Sequence, residues 1–342
     1  MRHSLAWLGD STGRLVNGGT GVQSSFPSWL SPLGWGQQLY PFTQQRLWVF
    51  GLFAALIVAA VAVSLVLMTR RDVGMGIFPT KDGAPRAAAS LSSAFGLARR
   101  LQGGVLRGWA VAVFILGVSY GLVINELQGF LTDNEELREV FLQFGDEPTE
   151  AFLGLLIAFM TITITGYAVQ SMLRMRAEES AGHLEPLLAT GVSRRRWVLS
   201  HVGFVALGVL LLTLLTALSM GVTYVVSTGT AWSELWDVFA AVFTQSAAIF
   251  AFMGFVMLLF GLLPNLAVPV AWGAFAGCFV VQQLGVLLDL PQWVFDLSPF
   301  AHLPAMPAEA FELAPLLALL AVAAALHLTG LAFFSRRDIQ TK

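Results

Sequence analysis

The densest group of ionisable side chains in the sequence runs from Arg174 to Trp197. It reads Arg174-Met175-Arg176-Ala177-Glu178-Glu179-Ser180-Ala181-Gly182-His183-Leu184-Glu185-Pro186-Leu187-Leu188-Ala189-Thr190-Gly191-Val192-Ser193-Arg194-Arg195-Arg196-Trp197. Two kinds of chemistry are open to such a run. Adjacent carboxylates beside a histidine, here Glu178, Glu179 and His183, can hold a metal or move a proton. The same residues on a short helix can instead present a charged knob to a partner protein. Metal chemistry has little support: there is no His-Glu-x-x-His pair, and the single cysteine, Cys278, excludes a multi-cysteine site and an internal disulfide. Cys278 sits in an apolar run and reads as a buried structural thiol. Ala177, Ala181, Leu184 and Leu188 share one helical face, and Glu178 and Glu185 share another. Gly191 can end that helix, and Ser193 can cap the next. A solvated loop whose arginines orient its neighbours satisfies the same periodicity.

The elements that must position this run are membrane helices. Of the 342 residues, 56% are hydrophobic and only 12% are charged. A soluble domain carries about 25% charged residues, so an ordinary soluble globule is excluded. The formal net charge of −2 gives no basic excess for a nucleic-acid partner. Seven stretches are long and apolar enough to cross a bilayer, which takes about 20 residues. They are Leu47–Met68, Gly108–Ile124, Ala151–Ala168, Val198–Val226, Asp237–Leu263, Ala267–Leu288 and Leu313–Phe334. Only Leu263, Pro264 and Asn265 separate the fifth from the sixth, which predicts a tight hairpin. The expected fold class is an all-α polytopic membrane protein.

Charge orients the bundle. Arg70–Arg107, Arg174–Trp197 and the tail from Ser335 hold 15 of the 19 Lys and Arg residues. The opposite side holds 15 of the 21 acids, among them Glu126, Asp133, Glu135, Glu136, Glu139, Asp146, Glu147 and Glu150. The positive-inside rule then places the C-terminus in the cytoplasm of a plasma-membrane protein, and seven crossings place the N-terminal tail outside. Phe95, Leu97, Leu101 and Val105 recur near helical spacing, with Arg99, Arg100 and Arg107 beside them. This predicts an interfacial helix over about 95–107, its arginines toward lipid headgroups. Polar groups in or near the spans are few: His201, His327, Gln170, Gln245, Gln282 and Gln283. Interhelical hydrogen bonding is their expected role, and no residue is assigned to a substrate.

An internal repeat is visible. Ser31-Pro32-Leu33-Gly34-Trp35 leads through an apolar stretch to Arg70-Arg71-Asp72, and Ser298-Pro299-Phe300-Ala301-His302 leads likewise to Arg336-Arg337-Asp338. The distances from serine to first arginine are 39 and 38 residues, and the period is 266. Parallel repeats of this kind occur in transporters. The sequence thus divides into 1–72, an outer loop and the last helix of a first six-helix unit; 73–90, a Gly- and Pro-rich linker; and 91–342, a complete six-helix unit. A full first copy needs about 194 further residues ahead of Met1, so the expected whole has a second unit, or N-terminal half, missing here.

The run Glu178-Glu179, Gly182, Glu185, Leu187-Leu188-Ala189-Thr190, Val192-Ser193-Arg194 and Trp197 resembles the segment after the second helix of ABC-2 type exporter permeases. It departs at Gly191, where that family often has proline. The whole chain resembles the C-terminal two-thirds of large actinobacterial permeases described as polyketide-antibiotic or tetronasin exporters. The resemblance implies the membrane part of an ATP-driven exporter of hydrophobic or amphipathic small molecules, with no catalytic residue, metal or cofactor on this chain. It makes about 177–190 a coupling helix seated in a cleft of an ATPase, with Glu178, Glu179, His183, Glu185, Leu188, Thr190, Ser193 and Arg194 as the coupling residues. ATP and Mg²⁺ would sit on two separate ATPase subunits. In agreement, the only lysines, Lys81 before Asp82 and Lys342, leave no Gly-Lys-Ser/Thr phosphate loop.

Two other functions compete. The Glu178-Glu179 pair is similar to the paired glutamates of prenyl-protein-type intramembrane metalloproteases, but position 183 is His rather than Arg, and the pair falls outside the spans. A secondary transporter driven by an ion gradient wants acids or bases at mid-membrane, and the spans offer almost none.

Overall fold

The computed structural model describes residues 14–15, 22–23, 29, 32–37, 39, 46–69, 88, 91–133, 148–285 and 288–338. Arg70-Arg71-Asp72, nearly all of the linker 73–90, and the acids Glu135, Glu136, Glu139, Asp146 and Glu147 lie outside them. Among the described residues the regular structure is helical apart from two paired two-residue strands, Arg14–Leu15 and Val22–Gln23. Seven described helices are long and apolar enough to cross a membrane. The fold is therefore that of a polytopic α-helical membrane protein. It divides into two compact units, Met1–Arg86 and Ala87–Lys342.

In the first unit a short helix, α1 (Pro32–Gln37), precedes the 21-residue α2 (Val49–Thr69). The indole N–H of Trp35 donates to the Trp29 carbonyl at 2.7 Å, and Trp29 stacks on Trp48 with ring centroids 5.3 Å apart. Along α2 only Val49 is buried. A helix apolar all round with so little buried surface is suited to lipid or a further helical partner.

The second unit is a bundle of α3 (Ala94–Asp133), α4 (Pro148–Met172), α7 (Arg194–Thr228), α8 (Glu234–Leu262), α9 (Ala267–Leu284) and α11 (Leu313–Arg336). Between α4 and α7 lie two short helices, α5 (Arg174–Ser180) and α6 (Leu184–Ala189). Between α9 and α11 lie α10 (Gln292–Asp296) and a 3₁₀ turn, Pro299–His302. The turn at Leu263–Leu266 joins α8 to α9 as the expected hairpin.

Small residues decide which helices lie closest. Gly117 and Gly121 of α3 meet Ser219 and Met220 of α7, and a Cβ at Gly121 would stand 2.7 Å from the Met220 carbonyl oxygen. Gly261 of α8 and Gly330 of α11 touch backbone to backbone. Without side chains at these points, dispersion and Cα–H···O contacts pull the helices together where lipid supplies no hydrophobic drive.

The stretch 95–107, read from the sequence as an interfacial helix, is helical and runs on without a break into the first span of this unit. Those residues are the first turns of the 40-residue α3. Ser93 caps this helix, its Oγ accepting from the Gly96 N–H at 3.0 Å. No proline interrupts the run, and Gly103-Gly104 lowers helix propensity without breaking it. Phe95 packs against Phe204 with centroids 6.0 Å apart, and the Gln102 amide donates to His201 Nδ1 at 2.9 Å. Both contacts fasten the segment along α7. Arg99, Arg100 and Arg107 remain exposed.

Three further polar groups of the spans find a side-chain or backbone partner, while others, among them Gln102 Oε1, His201 Nε2 and Gln245 Oε1, are buried without one. Trp109 Nε1 donates to Gln170 Oε1 at 2.7 Å, and Gln245 Nε2 donates to the Pro304 carbonyl at 3.1 Å. His327 Nδ1 lies 2.8 Å from the Ala323 carbonyl of its own helix, so that nitrogen carries the proton. Among the described residues Gln282 Oε1 and Gln283 Nε2 are buried without a hydrogen-bond partner.

Candidate functional site

The Arg174–Trp197 run folds as two short helices, where the sequence predicts one over 177–190. The break has a local cause. After α5 the chain makes a Schellman turn: the His183 N–H donates to the Glu178 carbonyl and the Gly182 N–H to the Glu179 carbonyl, both at 3.0 Å. The turn needs a left-handed residue at its centre, and Gly182 supplies it with φ +75°. α6 then starts at Leu184, which is buried, and ends at Gly191, again left-handed with φ +85°. Ser193 caps α7 as expected, its Oγ accepting from the Arg196 N–H at 3.3 Å.

The two adjacent glutamates turn inward. Glu178 accepts from Arg174 Nη2 at 2.6 Å and has His183 Nδ1 3.0 Å from its other oxygen. The Schellman turn makes that contact, because it folds His183 back over the end of α5. The Glu179 side chain is fully buried, and Arg337 grips it at two points: Nη1 to Oε1 at 2.7 Å and Nη2 to Oε2 at 2.8 Å. Arg176 Nη1 adds a third contact to Glu179 at 3.3 Å, while its Nη2 donates to Asn265 Oδ1 in the α8–α9 turn at 3.0 Å. The Arg337 guanidinium lies 5.2 Å from the centre of the Phe260 ring and 5.0 Å from that of Phe334. Arg194 Nη1 closes the cluster by donating to the Arg337 carbonyl at 2.6 Å. Buried Trp197 packs near the same two rings, with centroids 6.4 and 5.9 Å away.

Of the sequence-predicted coupling residues, then, Glu178, Glu179 and Arg194 are committed to partners inside the chain. His183 and Glu185 face outward, and Glu185 lies in the first turn of α6, where the helix dipole favours a negative charge. Leu188 is half-buried against the core, and Ser193 is exposed apart from its capping bond. Thr190 is exposed and donates to the Leu187 carbonyl at 2.6 Å. Arg337, Arg176 and Asn265 were missed as site residues. One signal pointed to Arg337: it is the middle residue of the repeated Arg-Arg-Asp, which the sequence alone presents as a basic stop after a membrane helix.

The arrangement is a rigid base carrying an exposed knob. Charges are buried only where paired, and aromatic rings shield the pair from water, which makes it hard to exchange.

Residues 91–335 match the family model of the C-terminal domain of the multidrug efflux system permease Rv1217c. The chain belongs to this permease family. It is also 35% identical over 315 residues to the multidrug efflux system permease protein Rv1217c of Mycobacterium tuberculosis, an alignment covering 92% of this chain. The chain spans 57% of the length of that relative. Family and fold together make it a multi-pass membrane protein of this permease family. The α5–α6 knob and every residue gripping Glu179 except Arg337 fall within the matched region.

Proposed function

We propose that the chain is the membrane-spanning part of an ATP-driven exporter of the ABC type, working with ATPase subunits that carry the ATP and Mg²⁺. The observation that carries this reading is the α5–α6 knob. Its base is fixed by Glu178 and Glu179, and its tip offers His183, Glu185, Pro186 and Thr190 to a partner. A motor-docking element needs that combination, since a loop that yields at its base transmits no movement. The charge distribution supports a cytoplasmic position for the knob, where ATP is available. Arg99, Arg100 and Arg107 lie exposed along the start of α3, and this suits contact with anionic headgroups on that side.

The spans favour an outside energy source. Every described acid in them sits near the end of an apolar span: Glu126, Glu150, Glu178, Glu179, Glu234 and Asp237. Ion-coupled carriers place such groups at mid-membrane. The cargo is a hydrophobic or amphipathic small molecule, a reading supported by the relative's name and the apolar spans. A further six-helix unit completes the transport path.

The test is co-purification of the permease with its ATPase. Changing Glu185 or Glu178 to Ala is expected to collapse permease-dependent ATP turnover. Turnover equal to wild type in both variants would sink the coupling role.

A further inference from the structure

The cluster around Glu179 does more than hold a helix in place. Through Arg337 the Glu179 carboxylate is tied to the end of α11, through Arg176 and Asn265 to the α8–α9 turn, and through Arg337 and Arg194 to the start of α7. A carboxylate with no exposed side-chain surface has no water to replace a lost partner. Movement of α5 away from α11 therefore takes from Glu179 its two-point partner, leaving only Arg176 on its own helix, and leaves the mostly buried Arg337 without a carboxylate. The end of α8 follows as well, because Phe260 and Phe334 stack on each other with their centroids 5.0 Å apart and both lie against the Arg337 guanidinium. Further along, Gly261 and Gly330 lock α8 to α11 with no side chain between them. The path from exposed knob to paired membrane helices is a chain of short, directional contacts.

We propose that the Glu179–Arg337 pair is a strut that carries displacement of α5–α6 to the α8–α11 pair, so that Arg337 is a positioning residue for coupling ATP turnover to export. The proposal rests on the reading of the chain as an ATP-driven permease. It differs from a role in ATPase docking, because Arg337 belongs to the interior cluster and not to the exposed tip. It predicts a separation of effects: loss of the strut leaves the ATPase bound and turning over, while export per ATP falls.

The full permease with its ATPase, reconstituted in liposomes, provides the test. Variants are Arg337→Gln, Arg337→Lys, and the exchange Glu179→Arg with Arg337→Glu. Export per ATP is expected to drop about tenfold in Arg337→Gln and about threefold in Arg337→Lys, which keeps the charge but not the two-point grip. The exchange is expected to recover part of the loss. A second readout is the distance between spin labels at Ala177→Cys and Arg336→Cys in a Cys278→Ala background. With Arg337 present that distance stays single through the ATP cycle; in Arg337→Gln it broadens when ATP is added. Export per ATP within twofold of wild type in Arg337→Lys, with an unchanged label distance in whichever variants fold, overturns the strut. The two readings fail differently. Wild-type export that ignores ATP sinks the functional reading and the strut with it, whereas ATP-dependent export that ignores Arg337 sinks the strut alone.

Discussion

Arg337 holds both carboxylate oxygens of Glu179 across 158 residues of sequence, at 2.7 and 2.8 Å. The guanidinium is planar and stacks on Phe260 and Phe334, so its orientation is set before the carboxylate arrives. Its side chain is 15% exposed and its partner's is not exposed at all. Removing Glu179 leaves the mostly buried Arg337 without its carboxylate, and removing Arg337 leaves buried Glu179 with Arg176 alone, at 3.3 Å; breaking a buried pair costs about 3–5 kcal/mol. Glu179→Ala and Arg337→Ala are therefore expected to lower the thermal midpoint of the purified protein strongly. The double variant should lose much less than the two single losses together. Fluorescence-detected unfolding in detergent measures all three, and strictly additive losses would contradict the pairing.

Glu185 makes the complementary case. It is exposed at the start of α6, and among the described residues no hydrogen bond or ion pair ties it to the fold. Surface substitutions of this kind usually stay within about 0.5 kcal/mol. Glu185→Arg is expected to leave the unfolding midpoint near wild type while releasing the ATPase during co-purification. A fall in stability with retained ATPase would reverse the assignment of tip and base.

Gly182 can be tested by its backbone alone. With φ +75° and no atom within 4 Å of a Cβ, it has room for a side chain but not the backbone preference. Gly182→Val is expected to cost about 1–2 kcal/mol, and Gly182→Asn clearly less, because Asn tolerates the left-handed region. Equal unfolding midpoints for the two variants would show that the Schellman turn does not set the α5–α6 break.

These contrasts show what the sequence made legible. The seven spans, the hairpin at Leu263–Asn265, the end at Gly191 and the cap at Ser193 are local features. They follow from apolar length, from glycine and from a hydroxyl at the right spacing. The special run at Glu178–Arg194 was also visible, because charges are so scarce elsewhere. What could not be read was direction. Glu178 and Glu185, seven residues apart, sit on one face of an unbroken helix, yet the turn at Gly182 separates them into an inward and an outward residue. The partners of Glu179 were hidden for a different reason. Arg337 and Asn265 are brought to it by tertiary packing of α8, α9 and α11, to which helical periodicity is blind. The continuity of α3 shows the same limit, since amphipathicity marks a basic flank but not whether the helix stops before its span.

The α8–α11 contact makes a sharp steric prediction. A Cβ at Gly261 would run into the backbone of Gly330, whereas at Gly273 of α9 nothing lies within 4 Å. Gly261→Val is expected to abolish the monodisperse folded peak in size-exclusion chromatography, and Gly273→Ala to leave it intact. Backbone cannot move aside as a flexible side chain can, so overpacking here exceeds the usual penalty of about 1–3 kcal/mol. A folded Gly261→Val protein would mean that α8 and α11 can separate freely, which would also remove the rigid pair on which Arg337 acts.

Gln102 and His201 give the last test, on the α3–α7 contact. Both are buried, and the Gln102 amide donates to His201 Nδ1 at 2.9 Å. Because Nδ1 accepts, Nε2 carries the ring proton, and this tautomer is fixed by Gln102 alone. Gln102→Leu removes the donor and leaves Nδ1 unpaired inside the bundle. Interhelical hydrogen bonds among membrane helices are worth about 0.6 kcal/mol on average and up to about 1.7, so the expected loss is modest and measurable. His201→Phe alone strands the Gln102 amide and should lose a similar amount. The double variant, Gln102→Leu with His201→Phe, replaces a polar pair by an apolar one beside the Phe95–Phe204 contact. It is expected to recover most of the stability of the wild type, since neither partner is then left unsatisfied. A double variant weaker than both singles would show that the contact between α3 and α7 depends on this hydrogen bond rather than on the close approach at Gly117 and Gly121.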